Sequence, residues 1–382
     1  MSKLDVLLEG VEVEWKPLES VCSVLKGKQL NKTELTELGE YPAYNGGTNY
    51  SGFTNKFNVD KNTTIISQGG ASAGFVQFIK RKFWANAHCY YLKPDIDVVE
   101  NKYVYYFVKN KQSNLMNFQF GAGIPALKSD VIKKLEILIP CPDNPEKSLK
   151  IQKEIVRILD IFTEFSKELN KELTKELTVR RKQYYYYREQ LLTFDESEVK
   201  TEILGSLAEN LDSMRKPIAS SLREPGNIPY YGASGIVDYV KDYIYDGDFL
   251  LISEDGANLI ARKTPIAFSI SGKNWVNNHA HVLKFNSYAE RRFVEYYLNS
   301  IDLTPYISGA AQPKLNQRNL SGIKIPNPPL LLKEKIVSIL DKFDTLTTSI
   351  SEGLPKEIDL RKKQYEYYRE KLLTFPNDNI EA

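Results

Sequence analysis

Residue types that bind metals or activate nucleophiles are scarce in this chain, which has three histidines and three cysteines. His88 and His279 each follow a Trp and an Asn, but no cysteine or carboxylate stands at a ligand-like spacing from either. A structural histidine is therefore the simpler interpretation. The segment from Asp95 to Glu100-x-Lys102 has the residue types of a nuclease metal motif, but at a cramped spacing. We predict no metal ligand and no catalytic residue.

Two further motifs that would indicate catalysis are incomplete or absent. Asn327-Pro328-Pro329-Leu330 ends in Leu, whereas the Asn-Pro-Pro motif of amino-methyltransferases needs an aromatic fourth residue to stack on a flipped base. A proline linker before a helix explains the segment better. The sequence contains no GxxxxGK[ST] loop, so nothing indicates an ATP motor. We therefore predict that the chain is not an enzyme and that it binds no cofactor itself.

Basic residues are separated from acidic ones along the chain, although the formal net charge is only +2. No Asp or Glu occurs between Asp60 and Asp95, between Asp255 and Glu290, or between Asp302 and Glu334. Basic faces attract phosphate backbones, so these windows favour DNA contact over a solvated loop surface. The candidate phosphate contacts are Lys80, Arg81, Lys82, Arg262, Lys263, Lys314 and Arg318. Candidate base contacts in Gly-rich loops are Gln68, Ser72 and Gln312.

The elements that would position these residues occur twice. Residues 152–194 align without a gap with 333–375, and about half of the positions are identical. Shorter matches precede both blocks: Pro42-Ala-Tyr44 resembles Pro229-Tyr-Tyr231, Trp84 resembles Trp275, and residues 121–127 resemble 309–315. This pattern predicts two globular units, each followed by a conserved block.

Both conserved blocks are predicted to be long helices. Apolar residues recur at steps of four and three, as in a heptad seam, at Ile151, Ile155, Ile158, Phe162, Phe165 and Leu169. A two-fold relation between the halves would pair the helices antiparallel. Residues 167–178 form a tetrapeptide tandem, KELN-KELT-KELT, whereas the second copy has Gly353-Leu354-Pro355, which should kink or break its helix.

The globular units are predicted to be mixed α/β or α+β. Residues 63–66, 87–92 and 249–253 have the pattern of strands, and residues 102–111 and 290–300 that of helices. The order of the strands does not follow from the sequence.

The chain resembles the specificity (S) subunit of type I restriction–modification systems over nearly its whole length. The resemblance rests on the proline-rich approach to each conserved helix, Ile139-Pro-Cys-Pro142 with residues 153–160 and Ile325-Pro-Asn-Pro-Pro-Leu330 with residues 335–341. The KELT tandem is similar to the tetrapeptide repeats that set spacer length in that family. In size and in its Lys- and Tyr-rich composition the chain is similar to a mycoplasma S subunit.

The resemblance implies two target-recognition domains in tandem, joined by two helices in a pseudo-two-fold antiparallel coiled coil. The corresponding division is domain 1 at 1–147, helix 1 at 148–194, domain 2 at 195–329, helix 2 at 330–375 and a tail at 376–382. Each domain would read half of a bipartite, asymmetric site in double-stranded DNA. The helices would set the spacing and dock two methyltransferase subunits, which use S-adenosylmethionine. Restriction subunits would complete the complex and use ATP and Mg.

Charged residues of the conserved helices are candidates for docking these partners, with a plain solvated helix face as the alternative. They are Arg180, Arg181, Lys182, Arg188, Arg361, Lys362, Lys363 and Arg369. We expect a cytoplasmic protein, because the sequence shows neither a membrane span nor a secretory signal. The competing hypotheses are a coiled-coil scaffold that binds proteins rather than DNA, and an autonomous methyltransferase or nuclease.

Overall fold

The computed structural model describes residues 10–117, 126–195, 197–309, 312–349 and 351–375. The chain divides into two compact units. The first comprises residues 1–172 and 358–382, and the second comprises residues 173–357. Both units mix strands and helices, so the predicted class, α/β with tandem globular units and long helices, is confirmed.

The strands of the first unit form three sheets. The strands are β1 (Val13–Pro17), β2 (Cys22–Lys26), β3 (Tyr41–Tyr44), β4 (Gly52–Thr54), β5 (Thr63–Ser67), β6 (Val76–Ile79), β7 (Trp84–Ala85), β8 (Cys89–Pro94) and β9 (Glu136–Pro140). β1 pairs with β9, and an antiparallel sheet has the order β2-β8-β5-β6. A third sheet has the order β4-β3-β7, in which β3 and β7 are parallel.

Helices cover these sheets and complete the core of the first unit. They are α1 (Asn101–Asn110), α2 (Gln112–Asn117), α3 (Ser129–Lys133) and the first part of α4 (Pro145–Leu192). Tyr103, Val104 and Phe107 of α1 are buried in the core, together with Ile155 and Leu159 of α4. The polar edges of α1 lie outside this apolar stripe, as expected for a helix packed on a sheet.

The second unit repeats this plan with a larger sheet. Its strands are β10 (Thr201–Ile203), β11 (Glu209–Asn210), β12 (Pro225–Gly232), β13 (Gly235–Val240), β14 (Tyr245–Ser253), β15 (Ala267–Val276), β16 (Ala280–Lys284) and β17 (Lys324–Pro326). β10 pairs with β17, and the main sheet has the order β11-β16-β14-β15-β12-β13. Its helices are α5 (Leu204–Leu207), α6 (Asn258–Ala261), α7 (Tyr288–Ser300), α8 (Gln317–Ser321) and α9 (Leu330–Thr348).

The internal duplication extends to strand register. In the first unit Ala43 of β3 pairs in parallel with Trp84 of β7, and in the second Tyr230 of β12 pairs in parallel with Trp275 of β15. Each indole N–H donates to a backbone carbonyl in an equivalent loop, Trp84 to Lys28 and Trp275 to residue 216. The sequence matches around these tryptophans therefore mark the same structural position.

The conserved helices bury much of their apolar stripe in their own globular part. Ile151, Ile155 and Leu159 lie in the first core, whereas Phe165, predicted to be in a helix–helix seam, is 64% exposed. A heptad pattern specifies which face is buried but not what covers it. In the second unit Ile336 and Leu340 are similarly buried, and Ile339 is 40% exposed.

Within each unit α4 packs against a second helix, and in the first unit the order of the contacts shows that the two helices run antiparallel. In the first unit Thr163 of α4 contacts Tyr365, and Phe162 packs on Tyr368, both in α10 (Leu354–Thr374). In the second unit Tyr187 of α4 stacks on Phe343 of α9, with ring centroids 5.6 Å apart.

The second conserved block contains two helices rather than one. α9 ends at Thr348 and α10 begins at Leu354, which puts Pro355 in a first helical turn, where a missing N–H is tolerated. The break lies beside the 353–355 segment that the sequence singles out. Within the described residues, no helix has both the length and the apolar character needed to cross a membrane.

Candidate nucleic-acid interface

Three loops of the first unit meet at one end of the β2-β8-β5-β6 sheet. The Gln68 N–H donates to the His88 carbonyl at 2.9 Å, and the Gln68 carbonyl accepts from the Leu127 N–H at 2.7 Å. We call residues 68–72, 86–88 and 126–127 the first loop cluster. Gly46 packs against it with φ +84°, and a Cβ there would lie 2.8 Å from the His88 carbonyl oxygen. Only glycine fits this position without a backbone shift.

The first loop cluster contains two predicted base contacts. Gln68 and Ser72 are both half-buried, so their side chains are partly accessible. The fold restrains Gln68, because its backbone is hydrogen-bonded on both sides and its side chain reaches Tyr90. Residues 118–125, which include most of the repeat segment 121–127, lie outside the described residues. The cluster places these polar side chains on a hydrogen-bonded scaffold, and their contact with base edges stays a prediction.

A second surface of the first unit combines aromatic rings with cations. We define the aromatic–basic face as Tyr44, Tyr50, Phe53, Phe57, Arg81 and Lys82. Arg81 lies 5.6 Å from the Phe53 ring centroid, and Lys82 lies 4.2 Å from that of Phe57. Burial raises the pKa of Tyr44, and the nearby Arg81 charge opposes that shift. Tyr50 is 50% exposed, so an outside group can reach this face.

The predicted phosphate contacts of the first unit lie on or beside this face. Lys80, Arg81 and Lys82 follow β6 and are exposed. None of the three forms a salt bridge within the described ranges of the chain. The loop of residues 45–51, which contains Tyr50, lies beside the first loop cluster, because Gly46 packs against the His88 carbonyl and the Gly47 carbonyl accepts from Ser67, next to Gln68. Cations without acidic partners, next to exposed aromatic rings, are typical of nucleic-acid surfaces.

The second unit has an equivalent meeting of loops. The Glu254 N–H donates to the His279 carbonyl at 2.9 Å, and the Glu254 carbonyl accepts from the Leu315 N–H at 2.8 Å. We call residues 254–256, 277–279 and 312–315 the second loop cluster. These bonds make Glu254 the structural counterpart of Gln68. Gln312 is exposed and lies in the 312–315 loop of this cluster. Its position corresponds to the segment just before Leu127 in the first unit.

Lys314 is not a free cation, contrary to what its acid-free window suggests. Its ammonium lies 3.0 Å from a Glu254 carboxylate oxygen, and its backbone forms a bridge with Asp255. Separation of charges along the sequence therefore does not carry over to separation in space at this position. The Lys314 side chain is 50% exposed and can still reach a group outside the protein, so its role as a phosphate contact stays a prediction.

A buried polar network supports the second loop cluster. The His281 Nδ1 lies 2.6 Å from Asp212, and its Nε2 lies 2.7 Å from the Leu315 carbonyl oxygen. Burial disfavours ionised Asp212, but the hydrogen bond and charge of His281 outweigh it and hold the pKa of Asp212 below its usual value. Glu254 likewise has a lowered pKa, because hydrogen bonds from Arg215 and Lys314 outweigh its burial.

This network contains the one group, among the residues described, whose spacing could suit a metal ion. Ligand atoms of Asp212, Glu254 and His281 lie within 4.8 Å of one another. Arg215 is ion-paired with Glu254 and lies 3.4 Å from Asp212, so its guanidinium already neutralises both carboxylates. The set is complete as an ion-pair network, in which each buried charge has a partner of opposite sign.

Arg262 and Lys263 lie away from the second loop cluster. Arg262 has φ +51° and donates from its guanidinium to the Leu298 and Ile301 carbonyls at the C-terminus of α7. Burial lowers its pKa. The guanidinium therefore caps a helix, a structural role that the sequence did not indicate. Lys263 is exposed and lines a cavity of about 400 Å³ with Tyr184 and Arg188 of α4. Arg318 is exposed in α8.

The counterpart of the aromatic–basic face in the second unit carries more acid. Lys273 lies 4.6 Å from the ring centroid of Tyr243, which is 46% exposed. Arg223, over the Tyr230 ring, is also paired with Asp238 at 3.0 Å. Lys273 was not among the sequence predictions, although it stands two residues before Trp275 as Lys82 stands two residues before Trp84. No repeat match covers Arg223.

The predicted docking residues lie on the conserved helices in several environments. Arg181, Lys182 and Lys362 are exposed. Others contact neighbours on their own helix: Arg180 with Glu176 and Gln183, Arg361 with Gln364, Lys363 with Asp359, and Arg188 with the rings of Tyr184 and Tyr185. Arg369 donates to Asn110 at the end of α1. Its bond to the globular part indicates a structural contribution.

Exposed tyrosine pairs accompany these cations in both copies. Tyr186 and Tyr187 have ring centroids 5.4 Å apart at 74°, and Tyr367 and Tyr368 repeat this arrangement at 5.4 Å and 71°. Tyr186 and Tyr367 are each about 60% exposed. Large exposed rings at equivalent places on both helices are typical of protein interfaces.

Comparison with known proteins places this architecture in a family. The type I restriction modification DNA specificity domain matches residues 10–179 and again residues 196–360. Both halves of the chain are thus independent matches to the same domain, in agreement with the duplication.

Individual relatives align with most of the chain. It is 34% identical over 414 aligned residues to the type I restriction enzyme EcoR124I/EcoR124II specificity subunit of Escherichia coli, covering 98% of each chain. A putative type I specificity subunit of Mycoplasma pneumoniae is 30% identical over 64% of this chain and 89% of its own. The crystal structure of an S subunit from M. genitalium shares the fold, with a TM-score of 0.53, 23% identity and 97% of each chain covered. The chain belongs to the family of type I restriction–modification specificity subunits.

Proposed function

We propose that this chain is the DNA sequence-specificity subunit of a type I restriction–modification complex and performs no catalysis itself. Each unit reads one half of a bipartite, asymmetric site in double-stranded DNA. The observation that carries this proposal is the pair of loop clusters. The two clusters have the same pattern of backbone hydrogen bonds, but the residue at the centre is Gln68 in the first and Glu254 in the second. A shared scaffold with different polar side chains suits two different half-sites.

Phosphate and base contacts are divided between two surfaces in this proposal. Arg81 and Lys82 of the aromatic–basic face hold the DNA backbone, together with Lys80. Gln68 and Ser72 approach base edges from the first loop cluster, and residues around Gln312 do so from the second. Phosphate contacts provide affinity without sequence information, and base contacts provide the specificity.

The conserved helices dock two methyltransferase subunits. The support is the repetition of exposed tyrosine pairs and cations on both helices, since two equal surfaces suit two copies of one partner. These partners bind S-adenosylmethionine, and restriction subunits add the ATP- and Mg-dependent steps. The chain itself holds no cofactor in this proposal, and the complex acts on DNA in the cytoplasm.

The test is to map methylated DNA motifs after co-expression of the chain with its cognate methyltransferase. We expect one bipartite motif. Exchange of residues 10–144, which precede α4, for those of a relative should change one half of the motif and leave the other half intact. A motif that is unchanged by this exchange would contradict the proposal.

The competing hypotheses make different predictions for the same protein. A protein-binding scaffold should show no DNA affinity and partner binding that is insensitive to salt, whereas a specificity subunit binds DNA less well as salt rises. An autonomous methyltransferase should bind S-adenosylmethionine as an isolated chain. Titration calorimetry that detects such binding would overturn the non-catalytic assignment.

A further inference from the structure

An aspartate of α4 joins the conserved helix to the globular part of the first unit. The Lys102 ammonium of α1 lies 2.6 Å from both carboxylate oxygens of Asp160, and the Tyr106 hydroxyl donates to Asp160 at 2.6 Å. Burial, followed by the hydrogen bond to Asp160, raises the pKa of Tyr106, so its phenol remains a donor at neutral pH. The side chains of Lys102 and Asp160 are 26% and 39% exposed, which places the contact at the rim of the interface.

The second unit has the same arrangement at the equivalent place. The Arg292 guanidinium of α7 donates to Asp341 of α9 from two nitrogens, at 3.0 and 2.9 Å. The Tyr296 hydroxyl donates to the same carboxylate at 2.6 Å. Tyr288 adds a further bond at 2.8 Å. Asp341 therefore accepts from a cation and a tyrosine that are four residues apart, as Asp160 does.

The recurrence can be read in the sequence once the structure has identified it. The first unit has Lys102-Tyr-Val-Tyr-Tyr106 and the second has Arg292-Phe-Val-Glu-Tyr296. In both, the cation and the last tyrosine lie on one helix face, because residues four apart are neighbours on a helix. The intervening aromatic residue and valine are buried in the core. We call the set Lys102, Tyr106, Asp160 and its counterpart Arg292, Tyr296, Asp341 the aspartate clasps.

Neighbouring contacts between helix and globular part differ between the units. Gln152 accepts from the Glu100 N–H at 2.8 Å in the first unit. Its counterpart in the second unit is Lys333, whose ammonium lies 4.0 Å from Glu290 and is almost fully buried. The clasp is repeated although the contacts around it differ. This indicates that both units need the carboxylate of Asp160 or Asp341 held by a cation and a tyrosine.

We propose that the aspartate clasps fix the angle of each globular part on its conserved helix, and thereby the half-site spacing that the complex accepts. This inference rests on the proposed function. A domain of about 140 residues has a radius of gyration near 14 Å, so much of its surface lies about 25 Å or more from the clasp. A tilt of about 10° moves that surface by about 4 Å, more than the ~3.4 Å rise of one base pair. Asp160 and Asp341 are accordingly positioning residues.

The experiment uses the chain in complex with its methyltransferase. DNA duplexes carry the two half-sites mapped for the wild type, at the native spacing and at spacings one base pair shorter and longer. The readout is the ratio of methylation at native and altered spacings. In Asp160→Asn, Tyr106→Phe and Lys102→Met we expect this ratio to fall about five- to tenfold, as loss of a charge-assisted contact implies. The base preference within each half-site should not change.

Two variants serve as controls. Lys102→Arg installs the residue that the second unit uses and should keep the wild-type ratio. Arg157→Ala removes an exposed ion pair with Glu154 from the same helix and should also keep it. If Lys102→Met fails to fold, as judged by circular dichroism, the milder Tyr106→Phe carries the test.

The outcomes separate this inference from the proposed function. A folded clasp variant with lower total methylation but an unchanged spacing ratio would show a merely structural contact and overturn the inference. A wild-type complex without any bipartite motif would instead overturn the proposed function, since no spacing could then be defined.

Discussion

Neutralising the three exposed cations after β6 should change how the binding of DNA depends on salt. Lys80, Arg81 and Lys82 form no ion pair within the residues that the structure describes, so their charges remain available to phosphates. Each phosphate contact contributes about 0.9 to the slope of log K against log salt. A triple Gln variant should therefore lower the magnitude of that slope by about 2.7. Between about 50 and 200 mM salt the wild type should lose roughly 40-fold more affinity than the variant.

The assay is fluorescence anisotropy of the chain, assembled with its methyltransferase, on a duplex that carries the mapped site. Lys16→Gln is the matched control, because Lys16 already pairs with Glu14 at 3.0 Å on β1. Its slope should stay at the wild-type value. Single variants should each account for about 0.9 of the change if they contact one phosphate. A triple variant that binds more weakly but has an unchanged slope would refute the phosphate role of this surface.

Three further predictions concern residues that the fold constrains. Burial lowers the pKa of Lys109 from 10.5 to about 8. Between about pH 8 and pH 10.5 the unfolded chain therefore binds more protons than the folded one, and the free energy of unfolding rises with pH. Lys109→Met should remove this rise, as measured by urea unfolding. A Cβ at Gly353 would lie 2.3 Å from the Thr345 carbonyl oxygen, so Gly353→Ala should lower the free energy of unfolding by about 1–3 kcal/mol. Gly322→Ala is the control, because a Cβ there would meet its nearest atom at 3.5 Å, and its thermal melt should match the wild type. Arg262→Gln should destabilise the second unit by about 1–2 kcal/mol without changing the salt slope, because its guanidinium caps α7.

The repeat was the most informative feature of the sequence, because a duplicated chain repeats its backbone. The match of Trp84 with Trp275 predicted equivalent positions, and the structure has them in the same parallel register. The helix of residues 102–111 and the strand of residues 63–66 lie within one or two residues of α1 and β5. Strand order could not be predicted, since it depends on pairings between segments distant in sequence.

Charge patterns along the sequence do not show which charges are paired in space, because those pairings also join segments distant in sequence. Lys314 lies in an acid-free window, yet it pairs with Glu254, which is 60 positions earlier in the chain. Arg262 lies in another such window and caps a helix. Both partners come from sequence-distant elements, so only the fold could reveal them. By contrast, Lys80 to Lys82 stand beside a turn and remain exposed, as the local pattern predicted.

The difference between the loop clusters has a consequence for the DNA that each unit would select. Gln68 is a neutral amide that can both donate and accept, which suits the paired donor and acceptor of adenine. Its counterpart Glu254 is an ionised carboxylate restrained by Arg215 and Lys314, and Asp255 beside it is bound to His279. Carboxylates accept hydrogen bonds only, as from the amino group of cytosine, and they repel phosphates. Glu254 is buried and already paired, so it cannot meet a base as Gln68 can, and we expect the half-site of the second unit to differ in base composition from that of the first.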